Sequence, residues 1–210
     1  MTTGDENRDC RALDFMLVGV GGQGTILASN ILAHVGLGLG CDVKKAEVHG
    51  MSQRGGSVVS HVRWGGRVFS PIVPPASADV LVAFERLEAA RFIGGLQPGG
   101  LAVINDHAIA PITVSAGPSD YPARADIGAR IAHVTDDAHW IDGVAIAKSL
   151  GTARAANVVI LGGLSALLDM APEEWLPVVE AQVPPKYVAL NRQAFLAGRD
   201  AVTEAGTQAP

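Results

Sequence analysis

The segment Glu47-Val48-His49-Gly50-Met51-Ser52-Gln53-Arg54-Gly55-Gly56-Ser57-Val58 is the most specific stretch of the chain. It mixes His, Ser, Gln and Arg with glycines, a composition that is costly to order and poor at burying apolar surface. A loop of this kind, held between two strands, is expected to touch something. Arg54 carries a planar fork of donors that suits a phosphate or carboxylate, or it pairs internally with Glu47. His49 is a second candidate contact. Ser52 and Ser57 have no evident base beside them, so nucleophilic catalysis is not indicated.

A second chemistry-bearing stretch is Gly19-Val20-Gly21-Gly22-Gln23-Gly24-Thr25, which fits G-x-G-x-x-G directly between an apolar run and a helical pattern. Glycines permit a tight turn and close approach of amides to a ligand, and a helix N-terminus favours an anion. Three readings stay open: a tight strand-to-helix turn, an anion or partner contact, and an NAD(P) or flavin site. Glu47 lies about where a ribose-binding acid would be. A dinucleotide fold would follow its second strand with a crossover helix, whereas here a glycine-rich loop leads into a hairpin. Asn105-Asp106-His107 closes another strand, a place suited to a functional group and equally to a turn.

Metal chemistry has little to work with. The six histidines lack metal-ligand spacing with a nearby Cys or acid. Two cysteines, Cys10 and Cys41, cannot supply the four thiolates of an iron–sulfur cluster. A Cys10–Cys41 disulfide is one reading, but with no secretion signal in Met1 to Asp14 the favoured expectation is two free thiols in a reducing cytosol. The net charge of −5 argues against nucleic acid, and no apolar run is long enough for a membrane span. The chain is 48% hydrophobic with 18% charged residues, which is ample for a core.

The elements that must hold these loops can be read from periodicity. Phe15 to Val20, Val43 to Val48, Ser57 to Arg63, Asp79 to Phe84 and Leu101 to Asn105 read as strands. Trp64-Gly65-Gly66-Arg67 reads as a hairpin turn into a further strand, Val68 to Ser70, and Leu96 to Gly100 as a turn. Short strands are expected at Val114 and at Ala132 to Thr135. Helices are expected from Thr25 to Val35, Glu85 to Ile93, Asp142 to Leu150 and Asn157 to Asp169. Two more run from Pro172, a helix-opening proline, to Gln182 and after Pro185 to about Thr203. The sum is an α/β chain: a mixed, mostly parallel sheet with helices on both faces, an inserted β-hairpin and a helical C-terminal part. Residues 15–203 are expected to form one domain, with flexible tails expected at 1–14 and 204–210.

Taken together, the Gly19–Thr25 loop, the Glu47–Val58 loop, Ser60 to Arg63, Ala78 to Glu85, Leu96-x-Pro98-Gly99-Gly100, Arg154-Ala155-Ala156-Asn157 and Tyr187 to Gly198 resemble the gamma module of 2-oxoacid:ferredoxin oxidoreductases. The likeness spans roughly Phe15 to Gly198. A module standing alone at this length looks like the small, beta subunit of the indolepyruvate-type members. The resemblance implies a cytoplasmic hetero-oligomer, a heterotetramer with a larger alpha subunit. It implies no cofactor on this chain, with thiamine diphosphate, Mg and 4Fe-4S clusters on the partner. The implied reaction joins a 2-oxoacid, an arylpyruvate, with coenzyme A to give acyl-CoA, carbon dioxide and reduced ferredoxin. The positions implied to meet partner or cofactor are Gly21, Gly22, Gln23, Gly24, Thr25, His49, Met51, Ser52, Gln53, Arg54, Gly55, Gly56 and Asn157, with no catalytic nucleophile among them. The competing reading is a free-standing NAD(P)- or flavin-binding Rossmann-like protein.

Overall fold

The computed structural model describes residues 10–49, 55–111, 114 and 120–207. Among them, six strands form one sheet: β1 (Leu13–Val20), β2 (Asp42–His49), β3 (Ser57–Gly65), β4 (Ala78–Ala83), β5 (Leu96–Asn105) and β6 (Ala138–Ile141). Their order is β2-β3-β1-β4-β5-β6. The β1, β4, β5 and β6 strands run parallel, while β3 is antiparallel to both β1 and β2.

Alternating side chains send β1 to two cores. Phe15 and Leu17 join one with α1 (Thr25–Gly38), α5 (Ala156–Leu167), α6 (Pro172–Gln182) and α7 (Val188–Thr207). Met16 and Val18 join the other with α2 (Arg86–Phe92) and α3 (Arg124–Ala132). The remaining helix, α4 (Gly143–Ser149), follows β6 and is capped by the Asp142 carboxylate, which accepts from Ala145 N. The expected mixed sheet with helices on both faces is therefore observed.

Several local expectations fail, each for a physical reason. The hairpin is β2–β3, and Val68 to Ser70 is not a strand. Its backbone is satisfied by side chains instead of a ladder: Val68 N donates to Asp42 Oδ2, and Arg63 Nη1 donates to the carbonyls of Ser70 and Ile72. Leu96 to Gly100 belongs to β5 rather than to a turn. An irregular register against β4, with Gly99 at φ 74°, takes up the extra residues. The strand sought at Ala132 to Thr135 lies later, at Ala138–Ile141, because α3 continues to Ala132 and a turn follows. Val114 is helical, not extended.

The cysteines are not free thiols. Cys10 and Cys41 form a disulfide, with Cα atoms 5.4 Å apart. The starts of β1 and β2 both flank the end of β3, in the pairs Leu13–Trp64 and Asp42–Gly65, and this brings the two residues together. An argument from compartment contains no such geometry.

Candidate functional site

The sheet changes connection direction between β1 and β4. The chain leaves β1 through α1 toward the β2 edge, and leaves β4 through α2 toward β5. A crevice opens outside the carboxyl ends of strands at such a point, and this is where α/β sheets bind ligands.

The glycine loop fills one side of it. Gly22 (φ 102°) and Gly24 (φ 79°) adopt left-handed backbone, which L side chains rarely enter. Gly24 caps α1, and a Cβ there would lie 2.4 Å from Asn157 Nδ2. Gln23 turns its amide back onto the strands: Oε1 accepts from Val20 N and Nε2 donates to Phe84 O, both at 2.7 Å. It clips the end of β1 to the end of β4. Thr25 is 3% exposed, and its Oγ1 is packed by Gly19 without a hydrogen-bond partner.

The second loop meets the first. Gly56 O accepts from Gly21 N at 2.8 Å, and Val20 pairs with Ser57 in the ladder. Gly55 is exposed, with φ 72°. Gly50, Met51, Ser52, Gln53 and Arg54 lie outside the described residues, as does the His49 side chain, although His49 itself ends β2. The alternative Glu47–Arg54 pair thus lies outside them too. Glu47 does pair with Lys45, Oε1 to Nζ at 2.6 Å.

Between the ends of β1, β4 and β5 sits a cavity of about 210 Å³. Gly22, Gln23, Phe84, Asn105, His107, Ile109, Val144, Ala153, Arg154, Ala156 and Asn157 line it. Its floor is a buried polar network. Phe84 O also accepts from Asn105 Nδ2 (3.0 Å), whose Oδ1 accepts from Gly143 N (3.1 Å). Asn157 donates to Gly24 O at 3.2 Å and accepts from Val158 N at 3.0 Å. Arg154 is exposed at the rim. A glycine loop, a helix start and one guanidinium make a site suited to an anion. The cavity is below the usual range of about 300–1,000 Å³ for a whole drug-sized ligand, so it fits part of a larger molecule. A second cavity of about 430 Å³ shares Arg154 and Asn157 and is lined by Leu27, Val183, Pro184, Tyr187 and Leu190.

Two further residues lie outside the cleft lining: Glu85 closes the Ala78 to Glu85 stretch of the resemblance, while Glu88 has no mark in the sequence beyond an ordinary helix start. Glu85, 1% exposed, caps α2: Oε2 accepts from Glu88 N at 2.9 Å. Its Oε1 accepts from Ile109 N (3.0 Å) and from the Tyr121 hydroxyl. Burial and the facing Glu85 carboxylate push the Tyr121 hydroxyl well above the usual phenol range. Glu88, 2% exposed, accepts from Ser57 Oγ at 2.5 Å and from Arg91 at 2.6 Å. Of the Asn105-Asp106-His107 set, Asn105 is network and His107 cleft wall. Asp106 is held by Arg86 and Arg124, with Arg124 stacked over Trp140. Among the described residues no group of three His, Cys, Asp or Glu could hold a metal, and the two cysteines are bound to each other. These donors do not fit an iron–sulfur cluster.

The profile of the pyruvate ferredoxin/flavodoxin oxidoreductase family matches residues 14–201. The chain is 38% identical to an indolepyruvate oxidoreductase subunit IorB of Pyrococcus horikoshii, over 91% of this chain and 96% of that one. Its fold is similar to the gamma subunit of a keto/oxoacid ferredoxin oxidoreductase from Geobacter sulfurreducens. There the TM-score is 0.68 at 23% identity, covering 91% of this chain and 99% of that one. It is also similar to the 2-oxoglutarate:ferredoxin oxidoreductase of Magnetococcus marinus, a structure with 2-oxoglutarate, coenzyme A and succinyl-CoA bound. That TM-score is 0.68 at 20% identity, and this chain covers 31% of that longer polypeptide. The Rossmann-like alternative is not favoured, since the sheet continues from β2 into an antiparallel hairpin and both the family profile and the Pyrococcus horikoshii relative are of oxidoreductases of this kind. With its profile match running from the first residues of β1 into the last helix, the chain belongs to the pyruvate ferredoxin/flavodoxin oxidoreductase family.

Proposed function

We propose that this chain is the small subunit of an arylpyruvate-using, indolepyruvate-type oxidoreductase. The complex converts a 2-oxoacid, coenzyme A and oxidised ferredoxin to acyl-CoA, carbon dioxide and reduced ferredoxin. The observation that carries the reading is the 38% identity over 96% of a relative named as an indolepyruvate oxidoreductase subunit. A larger alpha subunit, in a cytoplasmic heterotetramer, holds thiamine diphosphate, Mg and the 4Fe-4S clusters. The isolated chain turns over no 2-oxoacid.

On this reading the cleft receives an anionic part of coenzyme A. The amides of the glycine loop and Arg154 supply the donors. The loop Met51 to Gly56 faces the partner, and Arg54 offers its guanidinium to a carboxylate or phosphate at that interface. When bound to the partner, thiamine diphosphate supplies the carbanion chemistry of decarboxylation. This chain's own groups bind and orient.

The test is reconstitution with the cysteine-rich larger subunit and assay of ferredoxin reduction. Full activity needs both subunits, an arylpyruvate and coenzyme A. Arg54→Ala cuts that activity about 10- to 150-fold, the loss of one charge-assisted hydrogen bond, with the chain's Tm unchanged. Turnover by the chain alone, or a complex indifferent to coenzyme A, overturns the reading.

A further inference from the structure

We propose that Glu85 and Glu88 are positioning residues that hold two lining segments of the cleft, one at Ile109 and one at Gly22, at the spacing its ligand requires. The assignment of coenzyme A as that ligand rests on the function proposed above.

The argument begins from the cost of burying a carboxylate, which is large unless each oxygen finds donors. Two such groups sit three residues apart at the start of one short helix, 1% and 2% exposed. Helix capping uses only Oε2 of Glu85, and the Arg91 pair uses only Oε1 of Glu88. In both, the other oxygen reaches a distant segment that leads to a cleft wall. Glu85 Oε1 takes Ile109 N and the Tyr121 hydroxyl, and Ile109 lines the cleft. Glu88 Oε2 takes Ser57 Oγ, next to Gly56, whose carbonyl receives Gly21 N; the next residue, Gly22, lines the cleft as Ile109 does. A helix that needed only a cap and a surface ion pair would leave both of those oxygens to water. Here α2 works as a spacer, gripping one lining segment with each carboxylate.

Replacing either glutamate risks unfolding the chain, so the informative variants are Ser57→Ala, which deletes the bond donated to Glu88, and Tyr121→Phe, which deletes the bond donated to Glu85 together with the one accepted from Leu87 N. Amide hydrogen exchange on the free chain reads the grip directly. Ser57→Ala speeds exchange at Gly21 about tenfold and leaves Ile109 alone; Tyr121→Phe does the reverse. In the reconstituted complex each variant raises KM for coenzyme A about tenfold, without changing KM for the 2-oxoacid. The chain's Tm stays within about 4 °C of the parent. Unmoved exchange at both amides overturns the proposal. So does a uniform rise in exchange with both KM values climbing together, which marks general loosening. Crosswise exchange with an unchanged KM for coenzyme A keeps the spacer and removes coenzyme A as the ligand.

Discussion

Glycine serves opposite purposes in two regions of this molecule. At the cleft, Gly22 and Gly24 supply left-handed backbone, and the atoms around them are polar: amides of Gln23, Asn105 and Asn157 and the carbonyls they bind. At the crossing of α5 and α7, Gly162 and Gly198 supply absence of bulk. A Cβ on Gly162 would lie 1.9 Å from Phe195 O, and one on Gly198 would lie 1.9 Å from Val159 O. There the two helix backbones touch amid buried Val159, Trp175 and Phe195, and no side chain can move aside. The contrast separates two uses of one residue: dispersion and close approach at the helix crossing, directed hydrogen bonds at the cleft.

The sharpest way to break the comparison is Gly162→Ala. The clash is with backbone, so destabilisation of about 3 kcal/mol or more is expected, a fall in Tm of about 10 °C. A thermal melt equal to the parent's would show that the crossing is looser than these distances.

Reducing the disulfide comes next. A closed loop with a sequence separation of 31 is worth about 3.7 kcal/mol in the chain-entropy account. Dithiothreitol therefore lowers Tm by about 7–15 °C. The disulfide sits at the end of the sheet opposite the cleft, so binding of coenzyme A to the folded, reduced complex stays unchanged. Lost binding without unfolding would mean that the two ends are coupled.

Gly24→Ala sharpens the cleft side. Left-handed backbone and the Asn157 amide both oppose a methyl, at about 1–3 kcal/mol together. Asn157→Ala in the same chain should return part of that loss, and denaturant melts of the double-mutant cycle measure it. A purely additive cycle would remove Asn157 from the account.

The smallest effect is expected from Gln23→Ala, which frees Val20 N and one donor to Phe84 O, about 1–2 kcal/mol. Gln23→Glu keeps the first bond and sets a carboxylate against the Phe84 carbonyl, so it should melt lower than Gln23→Ala. The reverse order, read by calorimetry, would mean that Gln23 faces a ligand rather than β4.

The sequence by itself determined the class of fold and the family. Apolar runs of strand length, a helical stripe after Gly24 and the proline at Pro172 are local signals, and local signals survive without knowledge of the rest of the chain. It also singled out the glycine loop and Asn157, although not that Gln23 would be spent on Val20 and Phe84. The misread places are those where distant groups replaced local pairing. Asp42 and Arg63 hold Val68, Ser70 and Ile72 away from a ladder, and the β4 register draws Leu96 to Gly100 into β5. Only the tertiary structure decided that Cys10 meets Cys41, that Gly56 O meets Gly21 N, and that Glu85 and Glu88 reach Ile109, Tyr121 and Ser57. The physical reason is the same in each case. A hydrogen bond or disulfide across tens of residues depends on where the sheet carries its ends, and β1, placed between β3 and β4, is what carries them there.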